Sequence, residues 1–151
     1  MNLQDEDFMQ KALELAKRAE EEGEVPIGAL IVYQDTIIGQ GWNQSITRHD
    51  PTAHAEITAI REAAEKIGNY RLVDTTLYVT LEPCPMCAGA MVHARIKRLV
   101  YGARDPRTGA AGTVFNLAQS PQLNHRLIVE GGVLEMPCRE LLQGFFAKRR
   151  G

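Results

Sequence analysis

The stretch "TTLYVTLEPCPMCAGAMVHARIKRLVYGA" constrains the fold more than any other part of the chain. It opens on a strand, "TTLYVTL", that is short and apolar enough to be buried on both faces. Glu82-Pro83 stops that strand, and "CPMCAGAMVHARI" then suits a helix in which Pro85 is tolerable because it falls in the first turn. "RLVYGA" follows as another strand. A strand buried on both faces needs a layer of helices on each side.

The rest of the chain supplies those layers. Phe8, Ala12, Leu15, Ala16 and Ala19 recur at helical spacing between Asp5 and Glu22, and Gly23 stands where such a helix stops. "VPIGALIVY" and "TIIGQGW" form a hairpin across the turn-prone Gln34 and Asp35. A polar loop, "NQSITRHDP", leads to a helix carrying Ile57, Ile60, Ala64 and Ile67, which closes at Gly68-Asn69. His54 and Glu56 are expected in its first turn. After "RLVYGA" come a Gly- and Arg-rich loop, "RDPRTGAAG", a fifth strand in "HRLIVEGGV" weakened by its glycines, and a last helix with Leu134, Cys138, Leu141, Leu142 and Phe145 on one side. The pattern predicts one domain over 1–151 of the α/β class, with a mixed five-stranded sheet flanked by helices.

Composition removes several functions. At 151 residues and 44% hydrophobic content the chain can build a core, and its net charge of −2 shows no global basic excess for nucleic acid. Any such contact must be a local patch. The start is acidic, and no apolar run approaches the roughly 18 to 20 residues of a membrane span, so we expect a cytoplasmic protein with no membrane partner. Three cysteines, two of them in Cys-x-x-Cys, make a poor disulfide framework.

Cys84 and Cys87 at a helix start favour thiolates, the form that binds metal. With His54 they make a three-ligand zinc set. Structural zinc usually has four protein ligands, whereas catalytic zinc keeps a position open. His93 and Cys138 fit better as surface and core residues than as a fourth ligand, and His49 and His125 as solvent- or substrate-facing loop residues. Glu56 is the residue a structural site does not need. Two residues from His54, it is offset from the ligand face of a helix and suits a proton shuttle.

"HAE" followed by "PCPMC" resembles the zinc-dependent cytidine and adenosine deaminase superfamily, whose signature is His-x-Glu and then Pro-Cys-x-x-Cys. "WNQSITRHDPTAHAEI", the long central block and the ending "LLQGFFAKRR" further resemble the bacterial tRNA adenosine deaminases over nearly the whole chain. The resemblance implies a three-layer cytidine-deaminase-like fold and one Zn²⁺ per subunit on His54, Cys84 and Cys87. It implies Glu56 as general acid and base, and conversion of the wobble adenosine of an arginine tRNA with anticodon ACG to inosine. It also implies a homodimer that binds the tRNA anticodon loop. Asn43 resembles the asparagine that bonds the flipped base, and Asp105, with Arg104 and Arg107, the loop that contacts sugar and phosphates.

The tail "FFAKRR" combines aromatics with Lys148, Arg149 and Arg150, a pairing suited to bases and phosphates. Helical spacing makes Phe145 a candidate for the core and leaves Phe146 nearer the edge. The family's use of its final helix for RNA nevertheless carries over Phe145, and Arg149 with it. Two rival readings share the motif: a deaminase of a free base or nucleotide, such as guanine or deoxycytidylate, and a silent zinc-stabilised RNA-binding module with a closed metal site.

Overall fold

Two glycines decide how the second helix lies on the sheet. A Cβ at Gly39 would collide with the carbonyl oxygen of Ala59, and one at Gly41 with that of Ala55. The computed structural model, which describes residues 3–150 with the side chain of Arg150 outside the described set, therefore brings helix α2 (Ala55–Ile67) down onto strand β2 (Thr36–Trp42) backbone to backbone. Ala55, Ala59 and Ala63 form the contacting stripe, each fully buried. Met1, Asn2 and Gly151 are likewise outside the described residues, so the expected acidic start is followed only from Leu3.

Among the described residues the remaining elements are α1 (Leu3–Glu21), β1 (Gly28–Tyr33), β3 (Thr76–Leu81), α3 (Pro85–His93), β4 (Arg98–Ala103), β5 (Ile128–Gly131) and α4 (Glu135–Arg150). The sheet order is β2-β1-β3-β4-β5. Strands β2, β1 and β3 pair antiparallel, while β3, β4 and β5 pair parallel. The expected mixed five-stranded sheet is present, and so is the hairpin. Gln34 and Asp35 take φ of 49° and 62°, the left-handed pair that a tight two-residue turn between twisted strands needs.

Alternate strand residues feed two cores. Ala29, Ile31, Leu77, Val79 and Leu99 pack under α2 and α3, whereas Leu30, Val32, Tyr78 and Val100 pack under α1 and α4. This is the three-layer α/β/α arrangement expected from a doubly buried third strand. Cys138 and Phe145 face the second core and its surroundings, at 1% and 7% exposure. Among the described residues no helix is long and apolar enough to cross a membrane.

One buried ion pair fastens α1 to the sheet. Asp5, 1% exposed, accepts bonds from Tyr78 Oη at 2.6 Å and from Arg98 Nη1 at 2.9 Å. The Arg98 guanidinium holds the Asp5 carboxyl below its usual 3.8 against the opposing effect of burial, with Tyr78 helping. Because the folded-state value lies below the unfolded one, the contribution is fully present above about pH 4 and disappears as pH falls through the folded value. Asp5→Asn should lower stability at pH 7 by about 3 kcal/mol, since it leaves Arg98 without its buried partner. In urea melts that difference should shrink below about pH 4; a difference independent of pH would contradict the assignment.

Candidate active site

Helices α2 and α3 begin beside one another, and their first residues make the site. His54 is the N-cap of α2 and Cys84 the N-cap of α3, both with extended backbone. The sequence pattern places His54 inside the first helical turn; in the structure it precedes that turn. The difference matters because residues two apart within a helix do not share a face. From an extended N-cap, His54 converges on the sulfurs while Glu56, in the first turn, comes close enough to interact with Cys84 and Cys87. Pro85 follows Cys84 at the start of α3, where its missing N–H is no loss.

His54 Nδ1 stands 3.6 Å from Cys84 Sγ and 3.5 Å from Cys87 Sγ. A tetrahedral zinc ion, with metal–nitrogen distances of about 2.0 Å and metal–sulfur distances of about 2.3 Å, requires N···S separations of about 3.6 Å. The donor set therefore already has the spacing and the chemistry of a zinc site. Among the described residues no fourth His, Cys, Asp or Glu joins it. His93 is exposed and Cys138 lies in the core, as expected. His49 is exposed at the loop tip, but His125 departs from its expected solvent- or substrate-facing role: its Nε2 is 2.7 Å from the Ile96 carbonyl oxygen and ties the approach to β5 onto the sheet.

Glu56 is 4% exposed, and burial pushes its carboxyl up to about 7 against its own backbone hydrogen bond and the pull of His54. Hydrogen bonding from Cys87, with help from His54, outweighs burial and brings Cys84 down to about 4. Cys87 is pushed upward by that bond, by burial and by Glu56. His54 is raised by Cys84, against burial and with support from Glu56. Without metal these groups share protons. Metal binding requires both sulfurs as thiolates and the imidazole nitrogen neutral.

Two loops flank the cluster, each organised by a buried glutamate. Glu24, 1% exposed, accepts bonds from the amides of Ile46 and Thr47 at 3.2 and 2.7 Å and from the Thr47 hydroxyl. Burial raises the Glu24 carboxyl, but those donors outweigh it and leave it below its ordinary value. In the same loop the Gln44 amide donates to Ala53, next to His54, and Asn43 Oδ1 accepts from Ser45 Oγ at 3.1 Å. Across the site, Glu82 collects donors from the loop after β4. That loop carries Arg104, Asp105 and Arg107, which line a groove of about 740 Å³ together with Arg139, Gln143, Phe146 and Arg149 of α4.

Similarity to known proteins agrees with this geometry. Residues 2–103 match the family model of the cytidine and deoxycytidylate deaminase zinc-binding region. A tRNA-specific adenosine deaminase of Haemophilus influenzae is 56% identical over 147 residues, covering 97% of this chain and 85% of that protein. The chain belongs to the tRNA-specific adenosine deaminases, within the zinc-dependent deaminase family. A solved structure from work on A-to-I editing by tRNA:A34 deaminases at the wobble position superimposes with a TM-score of 0.87 at 45% identity, covering 90% of this chain and 99% of that one. A guanine deaminase of Nitrosomonas europaea shares the fold at TM-score 0.79 and 27% identity, covering 94% of this chain and 84% of that one.

The last helix of the deaminase is packed differently from the expectation drawn from the tail. Phe145 is buried, with Arg149 stacked 4.8 Å above its ring and Phe146 against its edge, so its face is not open to a base. Phe146, 46% exposed, is the ring on the groove. Arg149 also donates to the Gly23 carbonyl oxygen, which fastens α4 beside the end of α1. Arg139 and Gln143 also line the groove, about two turns and one turn before Phe146 on the same helix; the tail read from the sequence begins after them.

Zinc analysis checks the ligand set. The purified deaminase should carry about one zinc per chain, and His54→Ala should retain less than about a tenth of that, because two sulfurs alone leave the tetrahedral set too open. Full zinc occupancy in the variant would show that His54 is not a ligand.

Proposed function

We propose that this chain hydrolytically deaminates the wobble adenosine of tRNA, that of an arginine tRNA with anticodon ACG, to inosine and ammonia. The observation that carries the reading is Glu56: a buried carboxyl beside a three-ligand metal set, belonging to no ligand position. The kinship with tRNA-specific adenosine deaminases gives the substrate class.

Zinc bound by His54, Cys84 and Cys87 supplies Lewis-acid chemistry that makes water a nucleophile at neutral pH. Glu56 accepts a proton from the attacking water and delivers it to the ring nitrogen beside C6. It then carries the second proton to the amino group that departs from C6 as ammonia, so that one water is consumed for each ammonia released. Glu56 stands beside the metal donors without being one of them, which suits it to pass protons in both directions.

An adenosine in a loop must leave its stack to reach this depth. Asn43 hydrogen-bonds the flipped base, and its position is supported by the Gln44 bond to Ala53 beside His54. Asp105 accepts from a ribose hydroxyl, which selects RNA. Arg104, Arg107 and Arg149 pair with phosphates, supported by their shared groove. On the last helix the stacking role passes from the buried Phe145 to Phe146. The reading includes a cytoplasmic homodimer, for which exposed Ile67 at the end of α2 and Tyr70 and Val73 beyond it offer apolar surface.

The test is inosine formation at the wobble position of a synthetic ACG anticodon stem-loop. Wild type should form inosine, and Glu56→Ala at equal zinc content should be slower by at least about a hundredfold, the usual scale of general acid–base catalysis. Deamination of free guanine with none on the stem-loop would favour the chemistry of the Nitrosomonas relative instead. Undiminished turnover by the variant would remove Glu56 from the mechanism.

A further inference from the structure

Glu82 is 2% exposed and takes no part in the metal set, yet four donors converge on its carboxylate. Oε1 accepts from the Asp105 amide at 3.1 Å and from the Thr113 hydroxyl. Oε2 accepts from the amides of Ala111 at 3.0 Å and Thr113 at 3.1 Å. Only an acceptor-only group with two oxygens satisfies four donors at once. At Gly109 a Cβ would run into this same carboxylate, so the loop is wrapped tightly around it.

The neighbouring backbone links the loop to the metal side. The Ala110 amide donates to the Pro83 carbonyl oxygen at 2.8 Å, one residue before Cys84. Asp105 in turn caps its own turn, accepting from the amides of Arg107 at 2.9 Å and Thr108 at 3.3 Å. The Thr108 hydroxyl donates to the other Asp105 carboxylate oxygen at 3.1 Å, so this turn is a closed unit carrying Asp105 and Arg107, and the unit is placed through the Asp105 amide, which is held by Glu82.

We infer that Glu82 is a positioning residue for substrate: its carboxylate fixes the 105–113 loop to the end of β3 that leads into the metal-binding cysteines of α3, and so presents Asp105 and its neighbouring arginines to the RNA. The inference rests on the tRNA reading above. It concerns recognition of the nucleotides around the target, with no contact between Glu82 and the reacting atoms.

Glu82→Gln tests it selectively. The amide keeps one acceptor oxygen and turns an NH₂ toward two of the four donors. The Thr113 hydroxyl can reverse and accept, so the NH₂ settles on the Oε1 side and the Asp105 amide alone loses its partner. On the ACG stem-loop the variant should raise KM about tenfold, as expected for losing one bond to a buried charge, with kcat within about twofold of wild type and zinc content unchanged.

A merely structural role is separated by a double-mutant cycle. In an Asp105→Ala background, Glu82→Gln should raise KM by less than about twofold, because the side chain it orients is gone. Multiplying effects, an unchanged KM, or a loss carried in kcat would each overturn the inference. Should Glu82→Gln not fold, Thr113→Ala removes one donor at an exposed position; a KM rise of about threefold that vanishes with Asp105→Ala supports the inference, and an unchanged KM overturns it. Failure of wild type itself to form inosine would overturn the tRNA reading and this inference with it, an outcome distinct from an active wild type with an indifferent variant.

Discussion

Close approach of α2 to β2 is the constraint on which the rest of the site depends. Gly39 and Gly41 leave the carbonyls of Ala59 and Ala55 room to sit on the strand, and Ala55, Ala59 and Ala63 keep the facing helix surface equally thin. A bulkier residue at either place would lift the start of α2 off the sheet. His54 is the N-cap of that helix, so its distance from Cys84 and Cys87 is set by this contact as much as by its own rotamer. Alpha-helical N-termini also carry unpaired N–H groups and positive dipole ends, and two of them meet here. Thiolates and a carboxylate are the groups that such a place favours.

The metal donors therefore come from helix starts and not from helix faces. His54 and Cys84 occupy N-cap positions with extended backbone, while Glu56 and Cys87 stand in the first turns behind them. This staggered arrangement puts His54 among the donors and Glu56, only two residues on, beside them. The two flanking loops are each organised by a buried acid. Glu24 gathers the loop that follows Asn43, and Glu82 gathers the loop that begins at Asp105. Both loops are polar and long, and each obtains its order from a carboxylate on a neighbouring element.

Much of this was legible in the residues themselves. Burial of β3 on both faces, the hairpin at Gln34-Asp35, Gly68 as the stop of α2 and Pro85 at the start of α3 all follow from local chemistry and appear as expected. The His, Cys, Cys set was equally readable, because few other roles suit those residue types in that pattern. What local pattern does not carry is tertiary. The strand order, with its change from antiparallel to parallel pairing at β3, depends on which edges meet. His54 looked helical because the apolar period begins beside it, and only the backbone shows that the helix starts one residue later. Glu82 read as the end of a strand, since its four donors lie more than twenty residues away in the chain. Phe145 illustrates competition between two signals: helical period placed it in the core, family likeness placed it on RNA, and packing follows the period.

The central claim is that three protein side chains hold the metal and that Glu56 stands beside them as a proton carrier. Zinc K-edge X-ray absorption on the zinc-loaded protein, wild type and Glu56→Gln, tests it most directly. The account predicts two sulfurs at about 2.3 Å, one imidazole nitrogen and one further light atom, with the same shell in both proteins. A shell that loses an oxygen in Glu56→Gln, or that contains a second imidazole or a third sulfur in wild type, would contradict it.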